Sequence, residues 1–163
     1  VGSGSGETMF PAGIARKAKA FGAKVIYYSA SGAPAQEGYE QVDFETLLTQ
    51  SDIISVHAPL NEHTEGLINS KAFEKMKSSC IFLNLGRGPI VDEQALYNAL
   101  VRNQIAAAGL DVLCKEPMSA DNPLLKIKDS KRLLITPHIA WASVEARTHL
   151  MEIIHGQVKD FFA

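Results

Sequence analysis

The sequence has no apolar run near the roughly 18 to 20 residues that span a bilayer, and its start lacks the charged-then-apolar layout of an export signal. No membrane partner is expected. Charge of one sign is also missing: 16 Lys and Arg stand against 18 Asp and Glu, well mixed, for a formal net charge of -2. Without a basic stripe, no nucleic-acid partner is expected either. Cysteine is scarce, with only Cys80 and Cys114 in neither metal nor redox spacing, which points to a reducing cytoplasm. Among the histidines, His149 and His155 lack the i, i+4 spacing of a helical metal pair and His63 sits in a polar stretch, so no metal is expected. There is no internal repeat, and low complexity is confined to the opening Gly-Ser run.

What is present is a 163-residue chain, 46% hydrophobic. That is enough for one domain over residues 1–163, burying roughly 70% of the unfolded chain's surface. Short apolar runs alternate with amphipathic segments, the pattern of an open parallel sheet covered by helices on both faces. The runs are KVIYY (24–28), DIISV (52–56), CIFLN (80–84), AAAGLDV (106–112) and RLLIT (132–136). Helices are expected over 12–21 with Gly22 closing, and over 44–50, 70–76, 92–102 and 143 to about 162. Their entries carry capping chemistry: Asp43 before FETLL, Ser70 as the cap of KAFEKM, and Asp92-Glu93 putting negative charge at a helix start. The fold class is doubly wound α/β.

In such sheets ligands sit beyond the carboxyl ends of the strands. The residues following the runs are SASG, HAPLNEHT, LGRGPIVDE, LCKEP and PHIAWAS. Arg87, Glu116 and His138 thus leave three different strands at one edge, a cation, a carboxylate and an imidazole that together make a catalytic set. Each has an ordinary alternative. Arg87 could be a surface loop residue, although its flanking glycines suit close approach by a carboxylate held bidentately. Glu116 could be a solvated turn residue, and His138, beside IAWA, a structural one. The pairing outweighs these alternatives, because a carboxylate beside an imidazole favours the imidazolium, a proton donor.

The segments SDIISVHAPLNEHTEGLIN, MKSSCIFLNLGRGPIVDEQAL, AAGLDVLCKEP, DNPLL and ITPHIAWAS together resemble the nucleotide-binding domain of the D-isomer-specific 2-hydroxyacid dehydrogenases. The resemblance runs from about Ala15 to Phe162. Within the family, EPMSADNPLL and PHIAWAS read most like glycerate dehydrogenases, also called hydroxypyruvate reductases. It implies a Rossmann-like sheet, NAD or NADP as cofactor, a small 2-oxoacid or 2-hydroxyacid as substrate, and a homodimer. It further implies that His138 donates a proton to the carbonyl oxygen as hydride arrives from the nicotinamide, that Glu116 holds and charges His138, and that Arg87 binds the substrate carboxylate. On the cofactor side, Asp111 would accept from the nicotinamide carboxamide, Leu85 and Gly86 would line the ribose and nicotinamide side, and His57, Ala58 and Pro59 would border the adenosine half. Ala140 and Trp141 would lie beside the nicotinamide. Simpler roles stay open for three of these: Asp111 as a strand-end turn former, Pro59 as a rigid loop residue and Trp141 as packing.

Three departures from the family pattern follow. The family expects a strand, then G-x-G-x-x-G, then a helix. The helix is present as IARKAKAFG, but an ungapped match puts the glycine positions at Gly6, Thr8 and Pro11, and a gapped one uses Gly2 and Gly4 with Glu7 third. The first strand is therefore atypical or missing, and residues 1–11 read as a linker or an altered glycine loop. A nucleoside-triphosphatase loop is rejected, because it would need glycine at Val1 and lysine at Glu7. Second, Ser29 stands where NAD-dependent members carry an aspartate for the ribose 2'-hydroxyl; no arginine follows to attract a 2'-phosphate, and NAD against NADP stays open. Third, none of the family's substrate domain is recognised in these 163 residues, so the chain reads as an isolated coenzyme domain. The alternative is an inactive truncated or engineered module that folds or dimerises. Calorimetric titration of the chain with NADH and NADPH is expected to give dissociation constants no tighter than about 1 μM. A submicromolar constant for either would contradict this reading of residues 1–11.

Overall fold

In the computed structural model, residues 12–32 and 34–162 are described. Gly2, Gly4 and Gly6, with the question of the first strand, lie outside them. The capped apolar pattern folds as α1 (Ala12–Ala20), β1 (Ile26–Tyr27), β2 (Glu40–Gln41), α2 (Phe44–Gln50), β3 (Ile53–Val56), α3 (Ser70–Lys75), β4 (Ile81–Asn84), α4 (Glu93–Val101), β5 (Ala107–Leu110), β6 (Leu133–Ile135) and α5 (Val144–Phe162). Short 3-10 turns cover Gly88–Ile90 and Pro123–Lys126.

Strands β3-β4-β5-β6 form a four-stranded parallel sheet in that order. Val56 lies opposite Asn84, Asn84 opposite Leu110, and Leu110 opposite Ile135, so the carboxyl ends are level. Loops starting at His57, Leu85, Asp111 and Thr136 therefore leave side by side at one edge. The segment expected as a strand over 24–28 contributes only Ile26 and Tyr27, paired in parallel with Glu40 and Gln41 in a separate two-stranded sheet. Strand β2 was not expected because both its residues are polar and exposed, and no apolar run announces it. The pairing, with the Tyr27 hydroxyl donating to Gln41 Oε1 at 3.1 Å, is what defines it.

The core sits on one face of the larger sheet. Ile54, Phe82, Ala108 and Leu110 point into it, met by Leu48 of α2, Phe73 of α3 and Leu96 and Leu100 of α4. The Phe73 and Phe82 rings meet edge to face at 5.5 Å, a contact worth about 1 kcal/mol beyond the area it buries. On the opposite face Ile53 and Leu134 are 61% and 62% exposed. Helix α1 buries only Ala15, and α5 buries no residue. Among the described residues no helix is long and apolar enough to cross a membrane.

Helix entries follow local chemistry, with one correction. Asp43 accepts from the Thr46 amide at 2.7 Å and Asp92 from the Ala95 amide at 2.9 Å. At α3 the cap is Asn69 rather than Ser70: its Oδ1 accepts from the amides of Lys71 and Ala72, and Ser70 is the first helical residue. Asn and Ser cap about equally well, but Asn69 has a second tie, donating Nδ2 to the Gly66 carbonyl at 3.3 Å. Asn69→Ala is accordingly expected to cost about 1 kcal/mol in urea denaturation, and Ser70→Ala no more than about 0.5 kcal/mol. The reverse ranking would return the cap to Ser70.

Candidate active site

The edge is assembled by backbone contact between loops. A Cβ built on Gly86 would lie 2.9 Å from the Ala58 carbonyl oxygen, and one on Gly88 would fall 2.0 Å from the Leu113 carbonyl carbon. The sequence suggests that these glycines clear space for a substrate carboxylate; what approaches them is neighbouring backbone. Asn84, 1% exposed, shapes the same loop. Its Oδ1 accepts from the Gly86 amide at 3.1 Å, its Nδ2 donates to the Arg87 carbonyl at 3.0 Å, and its own carbonyl accepts from the Asp111 amide at 3.0 Å. Sequence reasoning passed over Asn84, although a polar residue closing the apolar run CIFLN was the available signal. Thr64, buried, was missed too; its hydroxyl donates to the Pro59 carbonyl at 2.7 Å and accepts from the Asn61 amide at 2.9 Å, shaping the loop of His57, Ala58 and Pro59.

Glu116 and His138 meet. Nδ1 of His138 lies 2.8 Å from Glu116 Oε2, while Glu116 Oε1 accepts from the Leu113 amide at 2.9 Å. A hydrogen on Nδ1 donates to the carboxylate, which leaves Nε2 as the ring nitrogen able to exchange a proton with a ligand. The Leu113 amide, and then His138, hold the Glu116 carboxyl below its ordinary range. His138 itself adopts φ 54°, the left-handed region.

Asp111 explains how that backbone is held. At 3% exposure it accepts from the Thr136 hydroxyl at 2.5 Å and the Ile139 amide at 2.9 Å on Oδ1, and from the Ala140 amide at 2.8 Å on Oδ2. Burial works against its charge, but the Thr136, Ala140 and Ile139 donors together with the nearby His138 outweigh it, and its carboxyl is held below the ordinary value. The clamp grips the chain on both sides of His138. Thr136 had no sequence signal, since its partner is 25 positions away. Trp141, 54% exposed, donates Nε1 to the His138 carbonyl at 2.9 Å.

The remaining candidates are placed as follows. Arg87 is exposed, donates Nη1 to the Gly86 carbonyl at 3.0 Å and makes no ion pair among the described residues. Its loop touches that of Glu116 through Gly88 and Leu113. Leu85 is exposed at the same edge. His57 places Nε2 2.8 Å from the Ser55 hydroxyl, and burial lowers its pKa. Ser29, buried beside Ser31 with hydroxyls 3.3 Å apart, follows β1 in the other sheet. Asp111, Leu113, Glu116, Met118, Thr136 and His138 are among the residues that line a cleft of about 660 Å³; Arg87 is not among them. Among the described residues no group of three or more His, Cys, Asp or Glu is placed to hold a metal.

Comparison with known proteins adds to this geometry. A family model described as "D-isomer specific 2-hydroxyacid dehydrogenase, NAD binding domain" matches residues 11–140. A hydroxypyruvate reductase of Blautia hydrogenotrophica is 45% identical over 146 residues, covering 88% of this chain and 44% of that protein. Among solved structures, an acyclic imino acid reductase in complex with NADPH and D-Arg superposes with a TM-score of 0.82 at 37% identity, over 91% of this chain and 46% of that one. D-lactate dehydrogenase of Aquifex aeolicus, complexed with NAD and lactic acid, gives a TM-score of 0.82 at 30% identity, over 91% and 49%. The chain spans less than half the length of these relatives.

The Asp111 clamp has a pH signature. A carboxyl lowered by folding contributes stability above its unfolded value, near 3.8 here, and that contribution is lost as pH falls through the lower folded value. Asp111→Asn is therefore expected to cost about 1–3 kcal/mol in urea unfolding at neutral pH, with the gap from the parent chain closing as pH falls below about 4. A gap that does not change with pH would show that the clamp does not depend on the charge.

Proposed function

We propose, for a chain that belongs to the D-isomer-specific 2-hydroxyacid dehydrogenases through their NAD-binding domain, the role of coenzyme and proton-donor half of an enzyme that interconverts a 2-oxoacid and its D-2-hydroxyacid, hydroxypyruvate and glycerate foremost. The observation that carries this reading is the 2.8 Å pair of His138 and Glu116 on the same sheet edge as Arg87.

The edge suits a dinucleotide, with exposed Pro59, Leu85, Ile139 and Trp141 offering apolar surface beside a cation and an imidazole. Leu85, Gly86 and the His57–Pro59 loop would hold it. A bound NAD or NADP supplies the hydride, chemistry that no side chain provides. Arg87 binds the substrate carboxylate through paired donors and draws charge toward the carbonyl oxygen. His138 gives that oxygen a proton from Nε2 while the carbonyl carbon gains hydride, so the 2-oxoacid becomes the 2-hydroxyacid. Glu116 accepts from Nδ1 and keeps the ring oriented throughout, with Nε2 turned to the substrate. In the reverse direction neutral His138 takes the hydroxyl proton. Asp111 serves the same step by fixing the His138 backbone.

We further place the parent enzyme in the cytoplasm as a homodimer. Free thiols at Cys80 and Cys114 suit a reducing compartment, and the exposed apolar side chains Met151, Val158 and Phe161 of α5 offer surface to a second copy.

Turnover of hydroxypyruvate, glyoxylate and pyruvate by the parent enzyme, followed as loss of reduced-nicotinamide absorbance, tests the reading. His138→Gln is expected to lower kcat about 10²–10⁴-fold, and Arg87→Gln to lower kcat/KM by about 10- to 100-fold through loss of a charge-assisted contact. Failure to reduce any 2-oxoacid would overturn it.

A further inference from the structure

We propose that Glu93 is a positioning residue for the Glu116–His138 pair, its carboxylate strapping the turn that carries Glu116 onto the first turn of α4. The proposal rests on the reading of that pair as proton donor and holder.

Glu93 is the first residue of α4, yet the helix does not use it as a cap, because Asp92 already accepts from the Ala95 amide. Its half-buried carboxylate faces the other way. Oε1 accepts from the Cys114 amide at 2.8 Å and Oε2 from Asn122 Nδ2 at 2.8 Å. These contacts hold both ends of the segment that contains Glu116. Asn122 is a firm anchor: it is 6% exposed, and its Oδ1 caps the Pro123–Lys126 turn by accepting from the Leu124 amide at 2.9 Å. At the other end, Glu116 Oε1 hangs on the Leu113 amide, the neighbour of Cys114. Residues 113 and 114 thus lie close against Gly88, and Cys114 is held by Glu93. The Cys114 thiol reinforces the tie. Burial, and then Glu93, push its pKa up to about 11, so it stays protonated and donates to the Val91 carbonyl at 3.5 Å. A free carboxylate at this helix start would have been drawn to water or to its own helix; here both oxygens are spent on the loop.

The test is nuclear magnetic resonance of the 163-residue chain, reading the His138 ring signals and the Leu113 and Cys114 amides in the parent chain, Glu116→Gln, Glu93→Asp and Glu93→Gln. Glu93→Asp keeps negative charge on α4 but is too short to bridge both partners. It is expected to move both amides and to displace the His138 ring signals in the same direction as Glu116→Gln, by a smaller amount. Glu93→Gln keeps an acceptor for the Cys114 amide but turns a donor toward Asn122 Nδ2, and is expected to leave the Cys114 amide near its parent position while displacing the His138 ring signals less than Glu93→Asp does. Should Glu93→Asp fail to fold, Asn122→Ser removes the Nδ2 donor, retains a hydroxyl cap for Leu124, and is expected to give the same displacement. An unmoved His138 ring in the folded Glu93→Asp or Asn122→Ser chain overturns the strap. If Glu116→Gln itself leaves the ring unmoved, there is no pair to position, and the strap and the proton-donor reading fall together.

Discussion

A buried carboxylate cannot be left half satisfied, because each unmet acceptor costs on the order of 1–3 kcal/mol and the charge more. Asp111 meets that demand with a hydroxyl and two amides drawn from the chain on either side of His138. It thereby ties down the connection after β6 on both sides of His138. The rest of the edge is built outward from it: the Asp111 amide is tied to Asn84, Asn84 shapes the loop of Arg87, and the chain that follows Asp111 leads to Glu116.

Rigidity elsewhere comes from closeness rather than from bond number. Where Gly86 meets Ala58 and Gly88 meets Leu113, the loops after β3, β4 and β5 touch through main chain, with no side chain able to intervene. Loops in such contact leave one another little room to shift, which suits the proposed site, where a guanidinium and an imidazole from different strands act on one substrate. The apolar core on one face of the sheet holds the strands level; the short glycine contacts carry that order past the strand ends.

The sequence made the larger sheet legible because four of its apolar runs are the right length and are separated by capped helices. The strand-end rule then sufficed to bring Arg87, Glu116 and His138 to one edge. Strand β2 was hidden because Glu40 and Gln41 look like loop, and pairing with β1 alone makes them a strand. The cap at Asn69 was hidden by an adjacent serine of equal propensity. Asn84, Thr136 and Thr64, and the loop contacts of Glu93 beyond its charge at the helix start, escaped for a different reason: the meaning of each of these polar residues lies in the partners that folding brings to it. Glu93 and Asn122, for example, are 29 positions apart. A linear pattern records periodicity and spacing, and it contains no term for such meetings.

The left-handed backbone of His138 sets two demands on one position. A side chain there costs about 1–2 kcal/mol relative to a right-handed conformation, and only glycine would relieve it at no steric cost. Glycine has no imidazole. If His138 is the proton donor proposed above, selection for a more stable chain and selection for that donor would pull codon 138 in opposite directions, and a stabilised descendant would be recognised by a glycine in its place.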